Sequence, residues 1–251
     1  MNERNKLIWQ QNFQQPSADL SAWNIRIGND LLNENGAPVD TGWGNGEQQY
    51  YTGHPGNLYI DETGLNLCAR RETTTLQDGR SFVYTSARID TRNHMAYTYG
   101  KLIVRAKLPA GSGIWPAIWL LPQEQAYGHW PASGEIDIME AKGRLPRQIF
   151  GTLHYGKDWE QKQIDEFSYT FENGSITDFH DYGLEWDEAS IRWSVDGHLF
   201  AKRHLEPGIM PFDKSFYLVL NLAVGGWFDR VPVDEDALPA VMTVSRIWLY
   251  Q

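Results

Sequence analysis

Three acids stand close together in Glu135-Ile136-Asp137-Ile138-Met139-Glu140. Two carboxyl groups held about 5–5.5 Å apart can split an acetal in two steps. One attacks the carbon, while the other protonates the leaving oxygen and then activates water. Acidic and apolar residues alternate over the first four positions. On a strand, Glu135 and Asp137 therefore share a face, and Ile136 and Ile138 point into a core. Strict alternation would put Met139 on the acidic face and Glu140 opposite. A one-residue bulge at Ile138-Met139 would bring Glu140 back, and bulges often re-aim a side chain beside an active site. Three acids on one face repel each other unless they share protons or do chemistry. The plainer alternative is a solvated edge strand with three unrelated acids. The geometry is not automatic, because four strand steps span roughly 13 Å. Both glutamates must lean inward over Asp137, which can hold a proton between them and keep their pKa values apart.

Such a strand needs a sheet around it. Short alternating runs dominate the chain, including Leu58-Tyr59-Ile60, Leu65 to Arg70, Lys101 to Ala106 and Ile191 to Val195. Turn residues separate them at Asp78-Gly79, Glu172-Asn173-Gly174 and Asp196-Gly197. Period-two strands with frequent Gly, Asn and Asp turns indicate a β-sandwich or barrel. Asp196-Gly197 is the best hairpin candidate. Long helical periodicity is absent, and the best helical candidate is a short turn from Pro16 to Trp23. There is no internal repeat, low-complexity tract or linker, so residues 1–251 are expected to form a single domain. A chain of 251 residues buries enough surface to fold without staples.

Composition narrows the partners. The net charge is −10, an acidic balance that repels phosphates and argues against nucleic acid. A neutral polymer is indifferent to it. The 11 tryptophans exceed what a core of this size needs, which suggests a surface that stacks on flat rings. Cys68, alternating with apolar neighbours, is expected to be a small core residue, and a lone cysteine forms no internal disulfide. No apolar run approaches the ~20 residues of a spanning helix, so no membrane partner is expected. Met1-Asn2-Glu3-Arg4-Asn5 carries no leader pattern. The expectation is a secreted or extracytoplasmic protein whose leader is not in this sequence, with a cytoplasmic protein as the alternative. No His-x-x-x-His pair, cysteine cluster or phosphate-binding glycine loop supports metal hydrolysis or nucleotide chemistry.

The wider motif set resembles glycoside hydrolase family 16, in its laminarinase branch. The segments that carry the resemblance are Asn45 to Thr52, Gly113 to Pro122, Trp130 to Glu135, Gly151 to Gly156, Asp181 to Trp186 and Asn221 to Gly226. In order they cover nearly the whole chain. The resemblance implies an all-β fold, a jelly-roll sandwich of two curved antiparallel sheets with a concave substrate cleft. It implies Glu135 as nucleophile, Asp137 as assisting acid and Glu140 as acid/base, acting on internal β-1,3 linkages of a β-glucan, alone or in mixed-linkage glucan, without a cofactor. The Glu135-to-Glu140 spacing matches the bulged branch of the family. A galactan-cleaving hydrolase on the same scaffold and a non-catalytic β-glucan-binding protein remain as alternatives, and a monomer is expected.

Other positions follow from the same pattern. Trp130 is expected to stack on a sugar near the cleavage point. Trp115 and Trp119, four apart, share a strand face, with a core ring as the plain reading of each. Asn45 and Arg88 resemble the family's polar groups for the glycone side, against a turn residue and a surface salt bridge. His154 is expected beside the acidic strand, orienting Asp137 or Glu140, against a satisfied core histidine. Asn221 and Trp227 are assigned to the leaving-group side. Where many relatives bind calcium, this chain reads Trp9 to Phe13 and Val244 to Trp248, without the carboxylates a hard cation prefers, so no metal is expected. Arg144-Leu145-Pro146-Arg147 fits no family motif.

Overall fold

The computed structural model describes residues 6–32, 36–206, 208 and 210–251. In chain order the described strands are β1 (Leu7–Asn12), β2 (Asn24–Arg26), β3 (Asp30–Leu32), β4 (Pro38–Thr41), β5 (Gln49–Tyr51), β6 (Leu58–Asp61), β7 (Gly64–Thr75), β8 (Ser81–Ser86), β9 (Arg88–Asp90), β10 (Ala96–Tyr97), β11 (Gly100–Lys107), β12 (Ile114–Pro122), β13 (Glu135–Glu140), β14 (Gln148–Tyr155), β15 (Gln163–Thr170), β16 (His180–Trp186), β17 (Ser190–Val195), β18 (His198–His204), β19 (Phe216–Val224) and β20 (Ala240–Tyr250).

They form a jelly-roll sandwich. One sheet runs β18-β17-β16-β11-β20-β7-β8-β5, with β1 beside β20 and β6 beside β7. The other, which carries the acids, runs β15-β14-β13-β12-β19-β9-β2, with β10 beside β19. Pairing is antiparallel apart from the β5–β8 contact. The core lies between the sheets, where period-two patterning delivers one face of each strand. Leu102, Val104 and Ala106 of β11 face Ile118 and Leu120 of β12 and Leu218, Leu220 and Leu222 of β19 in a single cluster. Cys68 is buried and free, as its pattern suggested.

The turns behave as their chemistry dictates. Asp196 and Gly197 both take positive φ, 51° and 78°, the mirror-image turn that matches strand twist and joins β17 to β18. The segment from Pro16 to Trp23 departs from expectation, since it holds turns and no helix. Asp19 accepts from the Ser21 backbone N–H at 2.9 Å and from its hydroxyl at 2.6 Å. Such local side-chain bonds compete with helical ones.

Candidate active site

The acidic strand β13 is bulged where its sequence demanded. Toward β12, Met139 pairs with Ile118 and Asp137 with Trp119, so Ile138 has no partner. Toward β14, Glu140 pairs with Phe150 and Asp137 with Thr152, which leaves Gly151 alone opposite Ile138 and Met139. Both extra side chains enter the core. Glu140 thereby returns to the face of Glu135 and Asp137. Support comes from the opposite sheet. The Trp193 indole N–H donates to the Asp137 carbonyl at 2.8 Å. Its ring fills the space above Gly151, where a Cβ would lie 2.6 Å from Trp193 Cδ1. Gly134 leads into the strand at φ 84°, with Phe212 so close that a Cβ would sit 2.9 Å from its ring.

The acids are buried together. Asp137 and Glu140 are 3% and 8% exposed, and the Glu135 side chain 16%. Each glutamate receives one indole N–H: Trp115 donates to Glu140 Oε1 at 3.0 Å, and Trp130 to Glu135 Oε2 at 3.0 Å. His154, opposite Glu135 on β14, places Nε2 3.2 Å from Asp137 Oδ2 and 3.7 Å from Glu135 Oε1. It therefore lies beside Asp137, whose Oδ2 has no hydrogen-bond partner, and its second acid is Glu135 rather than Glu140. Burial, then the neighbouring Asp137 charge, pushes the Glu135 carboxyl up to about 7, while His154, the Trp130 N–H and Arg88 hold it down. Burial and the Asp137 charge also raise Glu140 well above the usual carboxylate range. Burial raises Asp137 likewise, with the Glu166 charge adding to it. Glu135, Asp137 and His154 offer ligand atoms within 4.8 Å of one another and could hold a cation. Their chemistry equally suits proton sharing.

Aromatic walls rise on both flanks. Trp115 stacks on Phe228 with centroids 5.1 Å apart, and the Lys142 ammonium lies 4.4 Å from the Phe228 ring. On the β14 side, Trp130 meets Trp159 at 5.3 Å, and Lys162 lies 5.0 and 4.4 Å from the two rings. On the β9 side, the Arg88 guanidinium lies between the Trp43 and Trp119 rings, 4.2 and 4.8 Å from their centroids. Arg88 is thus buried, not a surface salt bridge. Trp115 and Trp119 are both half-buried on the acidic face, with Ala117 between them. The core-ring reading of Trp119 fails because its N–H reaches Asn221 Oδ1 at 2.7 Å on that same face.

One expectation changes. Asn221 and Trp227 were assigned opposite Asn45 and Arg88, but all four gather on the β19–β9 flank. Asn221 pairs directly with Arg88, and the Trp227 backbone N–H donates to the Asn45 carbonyl at 2.8 Å. Linear order hid this, because the Asn45 loop folds back onto the end of β19 through an isolated Glu47–Gly225 bridge. The Arg144–Arg147 segment is structural. Arg144 pairs with Asp229 at 2.8 Å, and Arg147 donates to the carbonyls of Phe171 and Glu172. Residues that the sequence reading passed over include Trp43, Glu47, Tyr51, Trp159, Lys162, Trp193 and Phe228. Glu47 and Tyr51 lay within the quoted Asn45–Thr52 motif. Nothing in the local sequence marked Trp159 or Trp193.

A jelly-roll sandwich with bulged, tryptophan-capped carboxylates on one sheet face defines a polysaccharide-directed glycosidase. The chain belongs to the glycosyl hydrolases family 16, whose sequence profile matches residues 39–228. It is 41% identical to the glucan endo-1,3-beta-glucosidase A1 of Niallia circulans, over 98% of this chain and 38% of that protein. It is 38% identical to a beta-glucanase of Rhodothermus marinus, over 98% of this chain and 85% of that protein. The laminarinase catalytic domain of Thermotoga maritima superposes with a TM-score of 0.85 at 37% identity, covering 99% of each chain. The chain thus spans well under half the length of the Niallia protein and nearly all of the Thermotoga domain.

Proposed function

We propose that this chain is a retaining endo-β-1,3-glucanase. It hydrolyses internal linkages of laminarin-like β-glucans and extends to mixed-linkage glucan. The observation that carries this reading is the β13 bulge, which turns Glu135, Asp137 and Glu140 onto one buried face. Relatives named for endo-1,3-β-glucanase activity support the substrate class. A glucan lies across the strands, its rings on the indoles of Trp115, Trp119 and Trp130. Asn45, Arg88, Asn221 and Trp227 serve the glycone flank. The β14 flank, with Trp130 and Trp159, serves the leaving group.

Glu140 keeps its proton because burial and Asp137 raise its pKa, so it protonates the glycosidic oxygen. Glu135, held lower by His154 and the Trp130 N–H, attacks the anomeric carbon and forms a glycosyl ester. Water, deprotonated by Glu140, then releases a product of retained configuration. Asp137, between them and beside His154, is the charge that helps keep the proton on Glu140 and so the two glutamates in different states. These steps need no cofactor. Residues 1–251 act as one catalytic domain and as a monomer. Because a polysaccharide does not cross membranes, the enzyme works outside the cytoplasm.

Reducing-sugar release from laminarin, barley mixed-linkage glucan, agarose and carboxymethylcellulose tests the reading, with wild type beside Glu135→Gln. Laminarin is expected to be cleaved fastest, and the variant to lose activity by three orders of magnitude or more. Product NMR showing inversion, or folded protein inert on laminarin, would sink the proposal.

A further inference from the structure

Glu47 is a buried carboxyl that the mechanism above does not use. It is 6% exposed and accepts three side-chain hydrogen bonds. Asn45 Nδ2 donates to Oε1 at 3.2 Å, Gln49 Nε2 to Oε2 at 2.6 Å and the Tyr51 hydroxyl to Oε2 at 2.9 Å. The last bond ends a one-way relay. Trp119 Nε1 donates to Asn221 Oδ1 at 2.7 Å, Asn221 Nδ2 donates to the Tyr51 oxygen at 3.1 Å, and Tyr51 donates to Glu47. Each link has a fixed direction, because an indole N–H only donates and a carboxylate only accepts. A carboxylate at the end therefore sets the amide orientation of Asn221 and the tilt of Trp119. Gln49 is anchored in turn, since its Oε1 accepts from the Val224 backbone N–H at 2.7 Å. Burial raises the Glu47 carboxyl above its ordinary value, and the Arg88 cation and the three donors pull it back toward the charged form; Arg88 is itself held against the Trp43 and Trp119 rings.

We infer that Glu47 is the positioning residue of the glycone flank: one buried carboxylate orients Asn45, Asn221 and Trp119 for sugar binding without touching substrate. The inference rests on the glucanase reading, and it explains why Asn45, Trp119 and Asn221, far apart in sequence, form one surface. A glutamine in place of the carboxylate has one accepting oxygen, so it satisfies at most two of the three converging donors and turns an N–H toward the third, which loosens the cluster.

The test uses the whole chain. Glu47→Gln is expected to raise KM for laminarin about tenfold, the loss typical of a hydrogen bond to a charged group, while kcat changes less than threefold. Tyr51→Phe, which cuts the relay with a smaller disturbance, should raise KM about fivefold. Binding is read separately from chemistry by calorimetry with laminarihexaose, comparing Glu135→Gln with the Glu135→Gln/Glu47→Gln double variant. About tenfold weaker binding in the double variant supports the inference. Equal affinity, or a kcat that falls tenfold at unchanged KM, overturns it. If Glu47→Gln does not fold, unchanged KM in Tyr51→Phe overturns it instead. Laminarin activity surviving in Glu135→Gln would count against the catalytic assignment, a result distinct from these.

Discussion

At the scale of single residues, the acids cost the fold what they give to chemistry. Glu135 has a folded pKa of about 7, above the ordinary 4.5 that the unfolded chain retains. Between those values the folded state binds more protons, so stability falls as pH rises through that window and the cost is complete above it. A shift of that size corresponds to about 3 kcal/mol. Glu135→Gln should therefore melt several degrees above wild type at pH 8 and nearly level with it at pH 4. Thermal melts at the two pH values check this, and an equal gain at both would contradict the linkage. The same values shape the rate. kcat/KM should climb as pH passes upward through about 7, where Glu135 ionises, and fall again where Glu140, raised by burial and the Asp137 charge, loses its proton. The alternation of Glu135, Ile136, Asp137 and Ile138 made this strand legible, whereas the burial that moves the carboxyl pKa values comes from the sheets around it.

Among elements, the bulged strand depends on its neighbours. Gly151 of β14 stands opposite the two extra residues, and Trp193 of β17 reaches through to hold the Asp137 carbonyl. Neither role shows in the local pattern, because each is defined only when β13, β14 and β17 pack together. Gly151 carries no positive φ, so only space forbids a side chain there. Gly151→Ala would press a methyl group into the Trp193 ring. Overpacking of this kind costs about 1–3 kcal/mol, or roughly 2–12 °C in Tm for a chain of this size. Calorimetry should show that loss, together with reduced kcat as Trp193 is displaced from the bulge. A variant with wild-type Tm and kcat would show that the ring yields freely. The two-residue hairpin at Asp196-Gly197 is the opposite case, fully readable because its positive φ values select those residue types locally.

For the whole molecule, charge separates the candidate substrates. A chain of net charge −10 repels an anionic polymer and ignores a neutral one. kcat/KM on laminarin should stay within twofold between about 0.05 and 0.5 M salt, well across the range where screening lengths shrink. A sulfated galactan substrate would instead be cleaved faster as salt rises. Sedimentation in the same buffers should give a single species near 28.8 kDa, and a salt-dependent larger species would refute the monomer. Among the described residues no helix is long and apolar enough to cross a membrane.

In the sequence, period-two patterning and turn residues marked the acidic strand and narrowed the fold to a sandwich or barrel, because these depend on residues within a few positions of each other; the family resemblance chose the sandwich and the bulged spacing. It also picked out many of the polar and aromatic side chains that line the acidic face. The tertiary structure decided which of them stand together. The gathering of Asn45, Arg88, Asn221 and Trp227 on one flank, the carboxylate of Glu47 at the end of the relay from Trp119 through Asn221 and Tyr51, and the Trp193 prop beneath the bulge all arise from contacts between strands distant in the chain. Such contacts leave no local period to read, since what selects the residues is the space and the unsatisfied donors that a neighbouring sheet presents.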